Sequence, residues 1–226
     1  RATRSDRGVT LEGRAELVVN APIARWLALP VRLDGAVALV TVATDAPGLN
    51  ISDPLVTLGA RGCPTADVLA DGVVASDLTA DAMPVLERAY RLSRGPALAI
   101  GAGVLSASLA TAESYARERY QGGSAIIEHA QIRAMLADMA VHATLCREAS
   151  VRLCAEDCSE ETSACLFSSA KDGLTPAASS GVQILGGYGY MADYPQEGRL
   201  RDARQLRSLL GRPDPLLQKI WRDRAV

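Results

Sequence analysis

The chain reads as an α+β protein, mainly α, with a small antiparallel β-domain over residues 1–79 and a helical bundle over 80–226. Two patterns carry this reading. Before residue 80 the apolar residues fall in short runs separated by turn dipeptides. After it they recur at three- and four-residue steps over long segments whose Gly and Pro lie mostly near the ends. Composition agrees. The chain is 48% apolar but holds only two Trp, six Tyr and one Phe, so its core is aliphatic, which favours helix packing over an aromatic-rich sandwich.

The strand-like runs are 9–11, 16–20, 24–32, 37–43 and 66–69. Glu12-Gly13, Asp34-Gly35 and Pro47-Gly48 supply turn material between or beside them. A first helix is predicted over 83–120, with Gly95-Pro96 as a candidate kink. Its small residues, among them Gly95, Gly101 and Gly103, call for close approach by a neighbouring helix or a ligand. A second helix over 128–157 carries Ile132, Met135, Leu136, Met139, Ala143, Cys146, Ser150 and Leu153 along one stripe, with Glu128, Arg133, Arg147 and Arg152 facing away. Helices over 161–171, 175–185 and 198–210 follow. Pro213 and Pro215 break the last, and 216–224 adds a turn or two.

Charge and cysteine usage exclude several classes of function. Twenty-four Lys and Arg against 26 Asp and Glu give a net charge of −2, no footprint for nucleic acid or an anionic membrane surface. No uninterrupted apolar stretch reaches the ~18 residues of a membrane span, and no signal-type run follows the polar start. A cytoplasmic location is expected. Five cysteines, an odd number, fit free thiols. Cys154 and Cys158 share a helix face, but no Cys-x-x-Cys and no nearby His completes a metal site, so no metal is expected.

The densest block is Gln183-Ile184-Leu185-Gly186-Gly187-Tyr188-Gly189-Tyr190, followed by Tyr194-Pro195 and Arg201-Asp202-Ala203-Arg204. Three glycines just after a helix free the backbone to turn with positive φ and let a ligand approach it closely. Gln183, one turn earlier, can donate and accept hydrogen bonds beside them. From the glycines alone a plain helix C-cap is the better reading. Other blocks appear in order: Leu58-Gly59-Ala60-Arg61-Gly62, Asn20-Ala21-Pro22, Tyr115-Ala116-Arg117-Glu118-Arg119, Ile127-Glu128-His129 and Leu136-Ala137-Asp138-Met139.

Taken together these blocks resemble the acyl-CoA dehydrogenases, flavoproteins that remove two hydrogens from Cα and Cβ of an acyl-CoA thioester. The resemblance covers roughly residues 8–224. It implies a C-terminal four-helix bundle after a partial middle β-domain, with FAD shared across a subunit interface. By the same resemblance Arg119, Gln121, Gln183, Gly186 and Gly187 are cofactor-binding, Arg119 pairing with the pyrophosphate as a fixed charge and donor fork. Arg94 matches an arginine near the substrate.

The sequence departs from that pattern in three places. Gly122 stands where an aromatic residue is usual. The two positions at which the family carries its catalytic glutamate hold Leu210 and Ser93, neither of which can remove an acidic Cα proton, a step for which a positioned base is worth ~10²–10⁴ in rate. The helical N-terminal domain and the Thr-Glu-Pro type strand that precede the middle domain in the family have no counterpart in these residues. The expectation is a shortened subunit that helps bind FAD beside a full-length homologous subunit or a copy of itself, with acyl-CoA as substrate and an electron-transfer flavoprotein as candidate acceptor. The alternatives are an active dehydrogenase with an unassigned base, a fragment of one, and a non-enzymatic scaffold.

Overall fold

The computed structural model describes residues 1–6, 8–156, 158–208, 218, 221 and 222. The chain separates into two compact units, Arg1–Thr57 with Arg61–Ala89, and Leu58–Ala60 with Tyr90–Val226. The first is built on antiparallel strands and also takes in the 3₁₀ segment Ala21–Ile23 and the start of the long helix that begins at Met83. One sheet has the order β1 (Ala2–Ser5), β2 (Gly8–Val19), β6 (Thr65–Val74), β5 (Leu49–Ile51), and the other β3 (Trp26–Leu33), β4 (Ala36–Ala43), β7 (Asp77–Thr79). Alternation puts Leu27, Leu29 and Leu33 of β3, Val40 and Val42 of β4, and Leu11, Val68 and Val73 of the other sheet into one core. Asp34 and Gly35, at φ 50° and 84°, turn β3 into β4 as their composition predicts.

Two features differ from the sequence reading. Residues 2–5 form a strand although they are largely polar, because only Ala2 is buried and the rest form an exposed edge. Glu12-Gly13 is no turn: β2 continues through it with a register shift between Leu11 and Glu12, and a second shift separates Ala15 from Val18. At the second, Leu17 takes φ 57° and donates its backbone N–H to Asp67 Oδ1 at 3.0 Å. The Arg14 guanidinium and this N–H together hold the Asp67 carboxyl below its ordinary pKa.

The second unit is helical. It is built on α1 (Met83–Glu118) from Tyr90 onward, α2 (Ala130–Cys154), α3 (Glu160–Asp172), α4 (Leu174–Leu185) and α5 (Gln196–Ser208), close to the ranges predicted from periodicity. Leu98, Leu105, Met139, Cys146, Leu153, Phe167, Leu174, Leu185 and Leu206 form its core, and the predicted stripe of α2 faces inward. Ser159 caps α3, its Oγ accepting the Thr162 N–H, with Glu160 and Glu161 favourably placed in the first turn. The small residues of α1 do admit close neighbours. A Cβ on Gly95 would stand 2.6 Å from Cys154 Sγ, and one on Gly101 would stand 2.7 Å from Leu174 Cδ2. α1 runs through Pro96 without interruption. By length and composition α1 could cross a membrane, a property its single unbroken apolar runs do not reveal. Its inward face is built into the helical core.

Within this unit the segment Leu58–Ala60 is clamped to α5. Asp202 Oδ1 accepts the Ala60 N–H at 2.7 Å, and Arg201 donates to the Leu58 carbonyl at 2.9 Å while gripping Glu197 through two bonds. A Cβ on Gly59 would lie 2.2 Å from the Arg201 carbonyl oxygen. Two blocks that are far apart in sequence thus form one contact. A second buried lock joins α1, α4 and α5: Gln196 donates Nε2–H to Ser108 Oγ, Arg199 donates to Thr111 Oγ1 at 2.7 Å and Gln196 Oε1 at 3.0 Å, and Gly181 leaves room for the Gln196 amide.

Candidate functional site

At the end of α1 the backbone leaves the helix and forms a short hairpin, β8 (Tyr120–Gln121) and β9 (Ser124–Ala125), tied back by the Ile126 N–H to the Arg119 carbonyl at 2.8 Å. Its turn is Gly122-Gly123, with φ 64° and 89°. Both positions lie in the left-handed region that two-residue hairpin turns require, so this loop is built for glycine. An aromatic side chain at 122 would be strained here by the positive φ, while its Cβ would make only van der Waals contact with the His129 ring at 3.4 Å. The Tyr120 hydroxyl donates to the Gly123 carbonyl, and His129 Nε2 lies 3.0 Å from the Gln121 carbonyl oxygen.

Facing this hairpin, α4 ends at Leu185 and the chain turns through a 3₁₀ segment, Gly186–Tyr190. Gly186 has φ 57°, and its N–H caps the helix by donating to the Gln183 carbonyl. Between the two turns lies an open cavity of about 760 Å³ whose walls include Arg119 and Gln121 on one side and Gly186 and Gly187 on the other. Its size is that of a pocket for a small ligand or cofactor. Arg119 is exposed, which leaves its guanidinium accessible from the cavity.

The glycines here differ from those that make the fold. A Cβ on Gly186 or Gly187 would meet nothing within 4 Å, whereas one on Gly189, two residues on, would strike the Val182 carbonyl oxygen at 2.2 Å. The first two leave bare backbone against open space. The third is a packing requirement.

The structure thus brings Arg119, Gln121, Gly186 and Gly187 to one cavity. The Gln183 side chain is exposed on α4 and is not among the cavity-lining residues; its contribution to the turn is its backbone carbonyl. Arg94 lies 25 residues before Arg119, ~37 Å along the helix at ~1.5 Å per residue. It is 0% exposed, donates to Ser163 Oγ at 2.8 Å, pairs with Glu160 at 2.8 Å and sits over the Tyr90 ring. One Arg94 and the Arg119 of the same chain are too far apart to grip the same small molecule. Ser93 is exposed on α1, and Leu210 lies outside the described residues. Among the described residues no cluster of His, Cys, Asp and Glu is arranged to hold a metal.

Sequence reasoning missed the aromatic wall. Tyr115, Tyr188 and Tyr194 also line the cavity. Tyr188 packs edge-on against Tyr115 with centroids 6.1 Å apart and against Tyr194 at 5.1 Å with a 37° tilt. Tyr188 stands in the Gly-rich block and Tyr194 just after it, six residues on, which was a readable signal.

Residues 83–222 match the family model described as the acyl-CoA dehydrogenase C-terminal domain. The chain belongs to the acyl-CoA dehydrogenase family. Among its curated relatives, the probable acyl-CoA dehydrogenase YngJ of Bacillus subtilis (strain 168) is 34% identical over 179 residues, 74% of this chain and 47% of that protein. The chain spans about half the length of the curated relatives it matches. Solved acyl-CoA dehydrogenases share the fold. A probable member from Mycobacterium abscessus superposes with a TM-score of 0.87 at 24% identity, covering 97% of this chain and 62% of that one. A Bacillus anthracis acyl-CoA dehydrogenase, solved in complex with FAD, gives a TM-score of 0.87 at 20% identity, covering 99% and 44%. The α+β architecture with a helical bundle read from the sequence is therefore that of an acyl-CoA dehydrogenase.

Proposed function

We propose that this chain supplies one wall of the FAD site in an acyl-CoA dehydrogenase-type enzyme that oxidises the Cα–Cβ bond of an acyl-CoA thioester. It acts as a subunit of an oligomer in which a neighbour, a longer homologue, holds the remainder of the cofactor. The observation that carries this is the open cavity between Arg119 with Gln121 and the bare backbone of Gly186 and Gly187. These residues fit the diphosphate part of the cofactor. Arg119 offers a permanently charged donor fork, Gln121 an amide that both donates and accepts, and the glycine turn a surface without side chains against which a phosphate can close.

FAD, when bound, supplies the acceptor for the hydride that leaves Cβ. This chain's own residues bind and orient on this reading, and the base that removes the Cα proton comes from the neighbour, because neither Leu210 nor Ser93 carries a carboxylate. Division of labour between subunits also accords with the ~37 Å between Arg94 and Arg119, since the two would serve different sites of the assembly. An electron-transfer flavoprotein is the proposed acceptor of the electrons. The domain division proposed for this role is a partial middle β-domain over 1–79 and the bundle domain over 80–226, in the cytoplasm.

Native mass spectrometry with a flavin absorption spectrum, on the protein captured from an extract of its source, tests the proposal. The expected result is a mass containing a longer homologous subunit and FAD. A self-assembled oligomer with stoichiometric FAD and activity on acyl-CoA would overturn the proposal, because a second copy of this chain has the same Leu210 and Ser93, and the base would then lie elsewhere in the chain. A self-assembled oligomer without flavin would support a scaffold instead.

A further inference from the structure

We infer that Cys154 and Cys158 form a dithiol site that a low-molecular-weight disulfide oxidises reversibly, closing a bond between them across the α2–α3 connection and loosening the arginine clamp beside it. The site belongs to the helical unit. It lies about 24 residues, ~36 Å along α1, from the cavity at Arg119.

A spacing of four predicts that the two cysteines share a helix face, and the structure places them differently. α2 ends at Cys154. The chain turns through Ala155 and then through Glu156, whose φ of 53° is left-handed, and Cys158 stands just before Ser159, the cap of α3. Both cysteines nevertheless meet one turn of α1. Cys154 Sγ occupies the space that a side chain at position 95 would take, 2.6 Å from the missing Cβ of Gly95, so glycine is what lets the sulfur sit there. Cys158 shares a small cleft with Arg91 and Leu92. Residues 92 and 95 are neighbours on one helix face, ~5–6 Å apart at Cβ. α1, as well as the short connection, therefore keeps the two thiols close.

Exposure separates their roles. Cys154 is exposed and Cys158 half-buried. The Cys154 thiolate attacks one sulfur of a disulfide such as oxidised glutathione and expels the other sulfur as a thiolate. The Cys158 thiolate then attacks the Cys154 sulfur of the mixed disulfide. The Cys154–Cys158 bond forms, the second small thiolate leaves, and the two protons that the cysteines lost end on the two released thiols. The protein dithiol is oxidised by two electrons and one small disulfide is reduced. Held four residues away, the second cysteine competes well with free thiol in solution.

The connection also carries charge. Glu156 pairs with Arg91 at 3.4 Å, and Glu160 pairs with Arg94 at 2.8 Å and with Arg91 at 3.8 Å. Arg94, 0% exposed, donates to Ser163 Oγ at 2.8 Å as well. A disulfide requires the two α-carbons to stand within ~7 Å, and it draws Cys154 Sγ out of the Gly95 notch toward Cys158. Glu156 and Glu160 each lie two residues from Cys158 and move with it. Oxidation thus weakens the ion pairs that hold Arg91 and Arg94.

Peptide mapping without reduction, after treatment of the full chain with millimolar oxidised glutathione, tests the site. The expected product is a Cys154–Cys158 cross-link, lighter than the dithiol by two hydrogens and reversed by dithiothreitol. In Cys158→Ser glutathione should stay on Cys154, and in Cys154→Ser its uptake at 158 should slow about tenfold, with circular dichroism confirming that both variants fold. Backbone hydrogen exchange over 158–163 should be about three- to tenfold faster in the cross-linked protein than in the reduced one. A wild type that stays reduced, that retains glutathione on Cys154, or that joins Cys154 to another cysteine would overturn the dithiol site. A Cys154–Cys158 cross-link with unchanged exchange over 158–163 would overturn the loosening of the clamp.

Discussion

The Gly-rich turn and the loop clamped onto α5 are both glycine-bearing, both belong to the helical unit, and they make opposite use of the missing side chain. At Gly59 and Gly181 the space a Cβ would occupy is filled, by the Arg201 carbonyl oxygen at 2.2 Å and by the Gln196 amide at 1.9 Å. At Gly187 that space is empty. A glycine required by packing and a glycine that borders an open cavity look alike in a sequence; the atoms around the absent Cβ tell them apart. The C-terminal signature block therefore divides. Gly189, Arg201 and Asp202 build the fold, and Gly186 and Gly187 border the cavity.

The sharpest way to break this contrast is to add one carbon on each side of it. Gly59→Ala drives Cβ into backbone that cannot swing away, and Gly181→Ala displaces the buried Gln196 amide from Ser108. Each should destabilise the helical unit by about 1–3 kcal/mol, with Gly59→Ala at the upper end. That corresponds to a drop of roughly 2–12 °C in melting temperature by calorimetry. Gly187→Ala should leave the melting temperature within about 1 °C, because its φ suits any residue and nothing stands near its Cβ, yet it should weaken flavin retention. Equal stability losses at all three sites would erase the distinction.

A smaller effect tests the clamp by itself. Asp202→Ala removes the acceptor of the Ala60 N–H and should cost about 1.5–3 kcal/mol, the range for a hydrogen bond to a charged group. Asp202→Asn, which keeps an acceptor oxygen, should cost less. Limited proteolysis at 58–62 should report the same order.

The smallest expected effect concerns the core of the bundle. Cys146 is buried on α2 and donates its S–H to the Ala170 carbonyl, and burial pushes its pKa up to about 11. At pH 8 the thiol is protonated in the native state, so alkylation should label the exposed Cys63, Cys154 and Cys165 in minutes and leave Cys146 untouched until denaturant is added. Its raised pKa also means that the native state resists ionisation more than the unfolded chain. The associated loss of stability begins only as pH rises through the unfolded thiol's range, near 8.5–9, and continues toward the folded value.

Much of the fold was legible in the residues. The helices fell where apolar residues recur at three and four, and each observed helix end lies within a few residues of its predicted one. Asp34-Gly35 was read as a turn for a reason the backbone bears out, its two positive φ values. Glu12-Gly13, likewise an acidic residue before glycine, predicts a turn in the same way, but cross-strand pairing with β6 carries β2 through it as a bulge. Propensity proposes a turn there; the ladder decides. The polar edge strand Ala2–Ser5 left no periodic signal, because one face of it is solvent.

The cavity was legible in part for a similar reason. Arg119, Gln121, Gly186 and Gly187 come from two short blocks that each announce a turn, and the structure brings them to one cavity. Tyr115 lies inside a helix where an aromatic residue reads as core, and only its contact with Tyr188 reveals the wall it builds. The pairing of Gly59 with Arg201 and Asp202 spans some 140 residues, a distance over which local pattern carries no information.

The most direct test of the central claim, that this chain contributes to a flavin site, is the flavin content of the intact purified assembly containing either wild-type chain or Arg119→Ala. Arg119 is exposed and lies beyond the end of α1, so its loss should leave subunit composition and melting temperature unchanged. The account predicts that the variant assembly releases FAD at least tenfold more readily on dilution. An assembly that keeps its full flavin without Arg119, or one that never held flavin, would contradict it.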